Sequence, residues 1–245
     1  MLSILIPTFQ EESSIKYTLM NIHSNLSKTN IEFEIIVIDD HSDDDTQQII
    51  SKLTSKYDNI SFHVNDSKRG FGNSIVKGIL ISKGSLITIM MADSSDSVDD
   101  LIRYYEVIKA DNKLDCVFGD RWSNNSVRNY PILKRVINRL GNYFLSLVFG
   151  VNYSDFTNSF KLYKKQTLME IFPIISNHFS ITLELPLKII TRKYKFKVIS
   201  NSWENREHGI SKMRIVNSLL TYSMIAIYCY IDLYFWSKRY DLNNR

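Results

Sequence analysis

A chain of 245 residues can bury one large core but not two full-sized ones, so a single main domain with an appendage is expected. Its 30 Lys and Arg are interleaved with 26 Asp and Glu, and a net charge of +4 is too mild for a nucleic-acid partner. Cys116 in an apolar run and Cys229 in a hydrophobic tail match no metal spacing and imply no disulfide, so both read as buried thiols. The apolar burst Leu2 to Ile6 ends at Pro7 without a basic leader, so a secretory signal is not expected and the chain should act on the cytosolic side.

In chain order, strand-like and helix-like segments alternate, which is the pattern of a mostly parallel sheet covered by helices. Ser3 to Ile6 reads as a strand, and Glu11 to Leu26 as a helix with Ile15, Leu19, Ile22 and Leu26 at helical spacing. Phe33 to Ile38 is the next strand, stopped by Asp39-Asp40-His41-Ser42; Thr46 to Leu53 follows as a helix and Ile60 to Val64 as a strand. Arg69-Gly-Phe-Gly72 lacks the third glycine of a dinucleotide fingerprint and reads as a turn into a helix over Gly72 to Ser82. Ser85 to Ala92 is short and rich in β-formers, a buried strand that hands Asp93 and Asp96 to the loop at its carboxyl end. Three strand ends thus bring Pro7 to Glu11, Asp39 to Ser42 and Asp93 to Asp96 to one edge, where open α/β sheets bind ligands.

The second half is less regular. Asp115 to Phe118, Phe160 to Tyr163 and Phe196 to Ser200 read as strands, and Phe179 to Thr191 as a helix perturbed at Pro186. Tyr130 to Val148 reads as a long helix with Leu133, Val136, Ile137, Leu140 and Phe144 along it. From Leu219 to Trp236 nearly every residue is apolar or aromatic, yet Asp232 lies inside, so an interfacial or partner-packed helix is favoured over a bilayer span. A helix docked on the domain core is the plainer alternative. The division expected is 1–213 for the main domain and 214–245 for the apolar tail.

Taken by residue type, Asp39 and Asp40 can accept hydrogen bonds from a base or ribose, although such a doublet is more often a turn device. Asp93, with Asp96, can offer hard oxygen ligands to Mg²⁺ or Mn²⁺. Arg121, Lys161, Arg206 and Lys212 can neutralise phosphates. His178 and His208 have no visible Ser or Cys nucleophile beside them, which argues against a hydrolase triad.

The motifs SILIPTFQEESSI, EIIVIDDHSDDDT, KRGFGNSIVKGI, ITIMMADSSD, VFGDRWS, DFTNSFKLYKK, FSITLELPLKI and WENREHGISKM occur in an order that resembles glycosyltransferase family 2. The likeness spans roughly residues 2–213 and is greatest to the branch of dolichyl-phosphate mannose synthases and polyprenyl-phosphate glycosyltransferases. It implies a GT-A fold, a single mixed α/β domain with a mostly parallel sheet. It also implies inverting transfer from a UDP- or GDP-linked sugar with Mg²⁺ or Mn²⁺. Carried over by position, Pro7, Thr8, Glu11, Asp39, Asp40, Arg69, Gly70, Ala92 and Asp93 fall in the nucleotide-sugar site. Asp93 matches one acid of the metal-binding pair, the preceding acid is replaced by Met91, and Asp96 is the candidate to compensate. Arg121, Asn158, Lys161, Arg206, Ser211 and Lys212 match phosphate- and acceptor-binding positions, with Lys161 in place of an arginine.

An acceptor hydroxyl normally needs a general base, whereas a lipid phosphate is already anionic near neutral pH. The only candidate base is Glu184, which could equally be an i, i+4 partner of Lys188. The missing acid pair and the apolar tail favour a polyprenyl phosphate acceptor at the cytoplasmic face of a membrane. Two alternatives are a family member acting on a sugar hydroxyl, with Glu184 as base, and a non-catalytic nucleotide-sugar-binding or assembly subunit.

Overall fold

The computed structural model describes residues 1–123, 127–128, 132–204 and 220–233. Strand β1 (Leu2–Thr8) is buried along its whole length, which is why it reads as a continuous apolar run and not as an alternating one. It pairs in parallel with β2 (Phe33–Asp39) on one side and β4 (Leu86–Ile89) on the other, and β3 (Ile60–Val64) extends the sheet beyond β2. Three further strands, β5 (Cys116–Asp120), β7 (Lys161–Lys164) and β8 (Phe196–Ser200), complete the order β3-β2-β1-β4-β7-β5-β8. Only β7 runs against its neighbours, β4 and β5. That reversal sets the amino end of β7, Lys161, beside the carboxyl end of β5, where it pairs with Phe118. A short parallel pair, β6 (Val127–Arg128) and β9 (Trp203–Glu204), lies apart from the main sheet.

Helices cover both faces. On one, α1 (Ile15–Leu26), α2 (Thr46–Thr54) and α4 (Val98–Ala110) bury Leu19, Ile50 and Tyr104 against Ile4, Ile35 and Val117. On the other, α3 (Phe71–Ile81) and α7 (Ile181–Thr191) bury Ile75 and Leu185 against Leu5, Ile38 and Phe118. Alternate residues of β1 therefore serve opposite cores, as the two-residue period of a strand requires. Helix α4 was not among the expected elements, although Leu101, Tyr104 and Ile108 have helical spacing and Asp99 and Asp100 occupy its first turn. The short helix α6 (Lys165–Glu170) was also unforeseen. Cys116 and Cys229 are buried free thiols, as expected.

Two features of the second half add to the expectations. Helix α5 (Ile132–Phe149) forms, and its Val136, Leu140 and Phe144 are exposed. Residues 220–233 of the tail are helical and dock on the domain, with Ile225 and Cys229 buried in the α7 core. Asp232, the charge that argued against a bilayer span, lies 3.3 Å from the Arg192 guanidinium. No helix among the described residues is long and apolar enough to cross a membrane.

Candidate functional site

The carboxyl ends of β1, β2, β4, β5 and β8 and the amino end of β7 share one edge, and the polar residues collect there. At the β1–β2 end, Asp39 is fully buried and its carboxylate accepts from Ser42 N (2.9 Å), Ser42 Oγ (2.5 Å), Gln47 Nε2 (2.7 Å) and Thr8 Oγ1 (3.3 Å). Asp39 is thus a turn anchor, and with Pro7 and Thr8 it shapes the floor. The half-buried Asp40 faces the next loop, accepting from Gly70 N at 2.9 Å and Asn65 Nδ2 at 2.8 Å. Exposed Arg69 donates to His41 O at 2.6 Å and lies 4.5 Å over the Phe9 ring, which makes a flat cationic wall beside Asp40. Gly70 is required by crowding, since a Cβ there would lie 2.1 Å from Asn177 O. Glu11 is tied to the neighbouring loop through its N–H, which donates to Thr46 Oγ1 at 2.9 Å, and its carboxylate accepts from Ser14 Oγ at 3.0 Å.

Beyond β4 the chain turns sharply. Ser94 has φ of 59°, Asp93 Oδ1 accepts from Ser95 N at 3.2 Å, and Ala92 O accepts from Thr18 Oγ1 at 2.7 Å. The buried Asp96 reaches back to accept from Met91 N at 2.9 Å, closing the loop under Asp93. Burial pushes the Asp96 carboxyl up to about 7; Asp93 and Asp100 add to the shift, and the Met91 N–H and Arg121 oppose it. Among the described residues no group of three or more His, Cys, Asp or Glu could hold a metal ion by itself. Asp93 and Asp96 can offer two carboxylates at most, which suits a Mg²⁺-type ion whose remaining ligands are water and substrate phosphate.

At the β5–β7 end a buried ionic cluster replaces turn chemistry. Arg121 grips Asp155 through Nε and Nη2, each at 2.8 Å, and Asp155 also accepts from the Arg121 backbone N–H at 2.9 Å. The guanidinium lies 5.9 Å from the Trp122 ring and 6.0 Å from Trp203, whose backbone pairs with Asp96. Lys161 does not present a cation at this edge. It is fully buried, and its Nζ donates to Phe156 O at 3.1 Å and to Asn158 O. Burial pulls its ammonium down to about 7, against the pull of Asp155. Asn158, also buried, donates to Gly119 O at 3.1 Å and Asn201 Oδ1 at 3.2 Å. Instead of holding phosphate, Asn158 and Lys161 build the scaffold that fixes Asp155, and through it Arg121. Arg206, Ser211 and Lys212 lie outside the described residues.

Residues 3–172 match the family model described as glycosyl transferase family 2. The chain belongs to that family. Among curated relatives, the polyprenol monophosphomannose synthase of Mycolicibacterium smegmatis is 24% identical over 86% of this chain and 80% of its own. The dolichyl-phosphate beta-glucosyltransferase ALG5D of Trichomonas vaginalis is 26% identical over 97% of this chain and 76% of its own. Among solved structures, the glucosyl-3-phosphoglycerate synthase of Mycobacterium tuberculosis, in complex with Mn²⁺, UDP and phosphoglyceric acid, superposes with a TM-score of 0.70. The match covers 95% of this chain and 78% of that one at 14% identity, which establishes the shared fold.

Glu184 departs from the role given to it as a candidate base. It is fully buried on α7, 2.8 Å from Lys188 Nζ, and it accepts from Ile175 N at 3.0 Å and Ser176 N at 2.8 Å. Lys188 also donates to Pro173 O. The i, i+4 pairing is the arrangement found, and the pair clamps the 173–176 loop that leads to Asn177, whose carbonyl accepts from Gly72 N at 2.9 Å. Site residues that sequence reasoning missed are Asp155, Trp122 and Trp203. Asp155 stands in the DFTNSFKLYKK motif, but its partner is 34 positions away and leaves no local spacing signal.

Proposed function

We propose that this family 2 glycosyltransferase moves a sugar from a UDP- or GDP-linked donor to a polyprenyl phosphate, with inversion, at the cytoplasmic face of a membrane. The observation that carries the reading is the occupation of Glu184. The carboxylate best suited by sequence to deprotonate a hydroxyl is enclosed and fully bonded, which favours an acceptor that needs no base. A phosphate monoester, with a second pKa of about 6, is such an acceptor near neutral pH. The names of the two curated relatives, both lipid-phosphate enzymes, point the same way.

The step balances without a proton relay. One acceptor phosphate oxygen forms a bond to the anomeric carbon as the bond from that carbon to the donor diphosphate breaks, and the nucleoside diphosphate leaves with the electron pair. Asp40 with Arg69 and Phe9 would seat the base and ribose, and Arg121, held rigid by Asp155, would face charge developing on phosphate oxygens. Asp93, with Asp96 behind it, would hold Mg²⁺ or Mn²⁺, which supplies charge neutralisation to the diphosphate. Preorganisation carries most of the effect, because a guanidinium already fixed by a buried carboxylate does not reorganise during the reaction.

Purified protein incubated with a panel of UDP- and GDP-sugars, divalent metal and a short polyprenyl phosphate tests this reading. Nucleotide release that needs both the metal and the lipid phosphate, and that fails with the dephosphorylated lipid, is expected. Release with hydroxyl acceptors alone would favour the sugar-hydroxyl enzyme, and donor binding without turnover under any acceptor would favour a binding subunit.

A further inference from the structure

Helix α5 turns most of its apolar side chains outward. Its inward side is mixed: Leu145 is buried, and so is Asn142, 2% exposed, which accepts from Phe156 N at 2.7 Å, while Asn138 donates to Thr157 Oγ1 at 2.9 Å. Its outward side carries Ile132, Val136, Leu140, Tyr143 and Leu147 at spacings of four, four, three and four, with Ile132 81% and Leu140 65% exposed. A helix that only covered a soluble core would put these groups the other way round. The docked tail helix buries Ile225 and Cys229 but also carries an exposed apolar row, with Leu220, Met224, Ile227 and Ile231 outward and Met224 71% exposed. The two helices adjoin: Phe149 meets Tyr230 edge-on at 6.1 Å, and Leu145 shares a core cluster with Ile225. Together they form an exposed apolar face far larger than isolated surface leucines produce.

Charge selects the occupant. From Ile132 to Phe149 there are three basic residues, Lys134, Arg135 and Arg139, and no acid. The one acid in the described tail, Asp232, is turned inward to Arg192. An apolar stripe flanked by cations matches the interfacial zone of a bilayer with anionic headgroups, where acyl chains accept the stripe and the headgroups accept the cations. Tyr143 and Tyr230 add rings suited to the headgroup level. Arg135 and Arg139 lie 5.5 and 5.6 Å from the Trp122 ring, next to Arg121, so this face runs directly into the candidate site.

We infer that α5 and the tail helix form a two-helix platform that lies in the plane of an anionic lipid surface and turns the Arg121 side of the site toward it. Helix α5 is the larger part of this platform. The inference deepens the proposed function by seating the protein on its acceptor's membrane, and it is testable with no acceptor present.

The test is flotation of the full chain with vesicles free of polyprenyl phosphate, either neutral or containing about one-third anionic lipid. The wild-type chain should float with the anionic vesicles, poorly with neutral ones, and less as salt rises well above about 0.15 M. Leu140→Glu with Phe144→Glu should cut partitioning by about tenfold or more with an unchanged thermal melt, since both positions are exposed. Met224→Glu in the tail should cause a smaller loss, and its folding can be checked in the same way. The inference is overturned if the wild-type chain stays in solution with anionic vesicles, or if the α5 variant floats as well as wild type. It is also overturned if the wild-type chain is a dimer that the α5 variant splits while neither form floats, which would assign the face to a second copy. Flotation without glycosyl transfer would leave the platform standing and remove the proposed acceptor, so the two failures are distinguishable.

Discussion

The two halves of the sheet edge are held by different physics. On the parallel side, at the ends of β1 and β2, Asp39 is satisfied by Ser42 three residues on and Gln47 eight residues on, the local chemistry of a turn. On the mixed side, beyond β5, Arg121 depends on Asp155 and Lys161 on the 156–158 loop, in a buried network assembled across the reversed strand β7. Asp39, although buried, shares its charge among four hydrogen bonds from neutral donors, so the loss of one leaves the others. A buried charge that loses its counter-charge has no such reserve.

Breaking the mixed side should therefore have the largest effect. Arg121→Ala is expected to lower turnover by at least about 100-fold. It should also lower stability by about 3 kcal/mol, because Asp155 is left as an unpaired buried carboxylate. Arg121→Met combined with Asp155→Leu should recover most of that stability and none of the turnover. Steady-state rates and denaturant melts on both variants check this, and parallel recovery of rate and stability would show that Arg121 is only structural.

Next in size is the clamp behind the parallel side. Glu184→Gln leaves Lys188 buried without a counter-charge and should cost about 3 kcal/mol in a denaturant melt, with turnover per folded molecule preserved. A stable variant with selectively lost turnover would instead restore Glu184 as a base. Gly70→Ala should raise the donor KM more than it lowers kcat, because the new methyl must displace Asn177 O and with it the N–H held by Asp40. Equal loss in both constants would place Gly70 outside the donor site.

A further effect concerns pH. Asp96 keeps its proton up to about 7 in the folded chain, whereas an unfolded aspartate ionises near 3.8. Between those values the unfolded chain binds fewer protons, so this group lowers stability as pH rises from about 4 to 7 and adds no further change above that range. Asp96→Asn, compared with wild type in metal-free thermal melts, should lose less stability across that window. Parallel curves would contradict the assigned burial of this carboxyl.

The same contrast explains what could be read from the sequence. The parallel strands, the turn anchors and the loop after β4 are set within short windows, and periodicity and motif order locate them. Asp155 and the reversal of β7 come from pairing across the sheet, which no spacing reports. The wet side of helix α5 was hidden for another reason. A stripe at three- and four-residue spacing identifies an amphipathic helix but not which side is wet, and Val136 and Leu140 turn out exposed. Lys161 was misassigned because residue type suggests a phosphate ligand, whereas the β7 register encloses it.

The central claim is that the attacking atom is a phosphate oxygen, and ³¹P NMR of the lipid product tests it most directly. Conversion of the lipid monoester resonance into a phosphodiester one, in step with nucleotide release, is the predicted result. Sugar transfer that leaves the monoester resonance unchanged would contradict it and place the new bond on a hydroxyl.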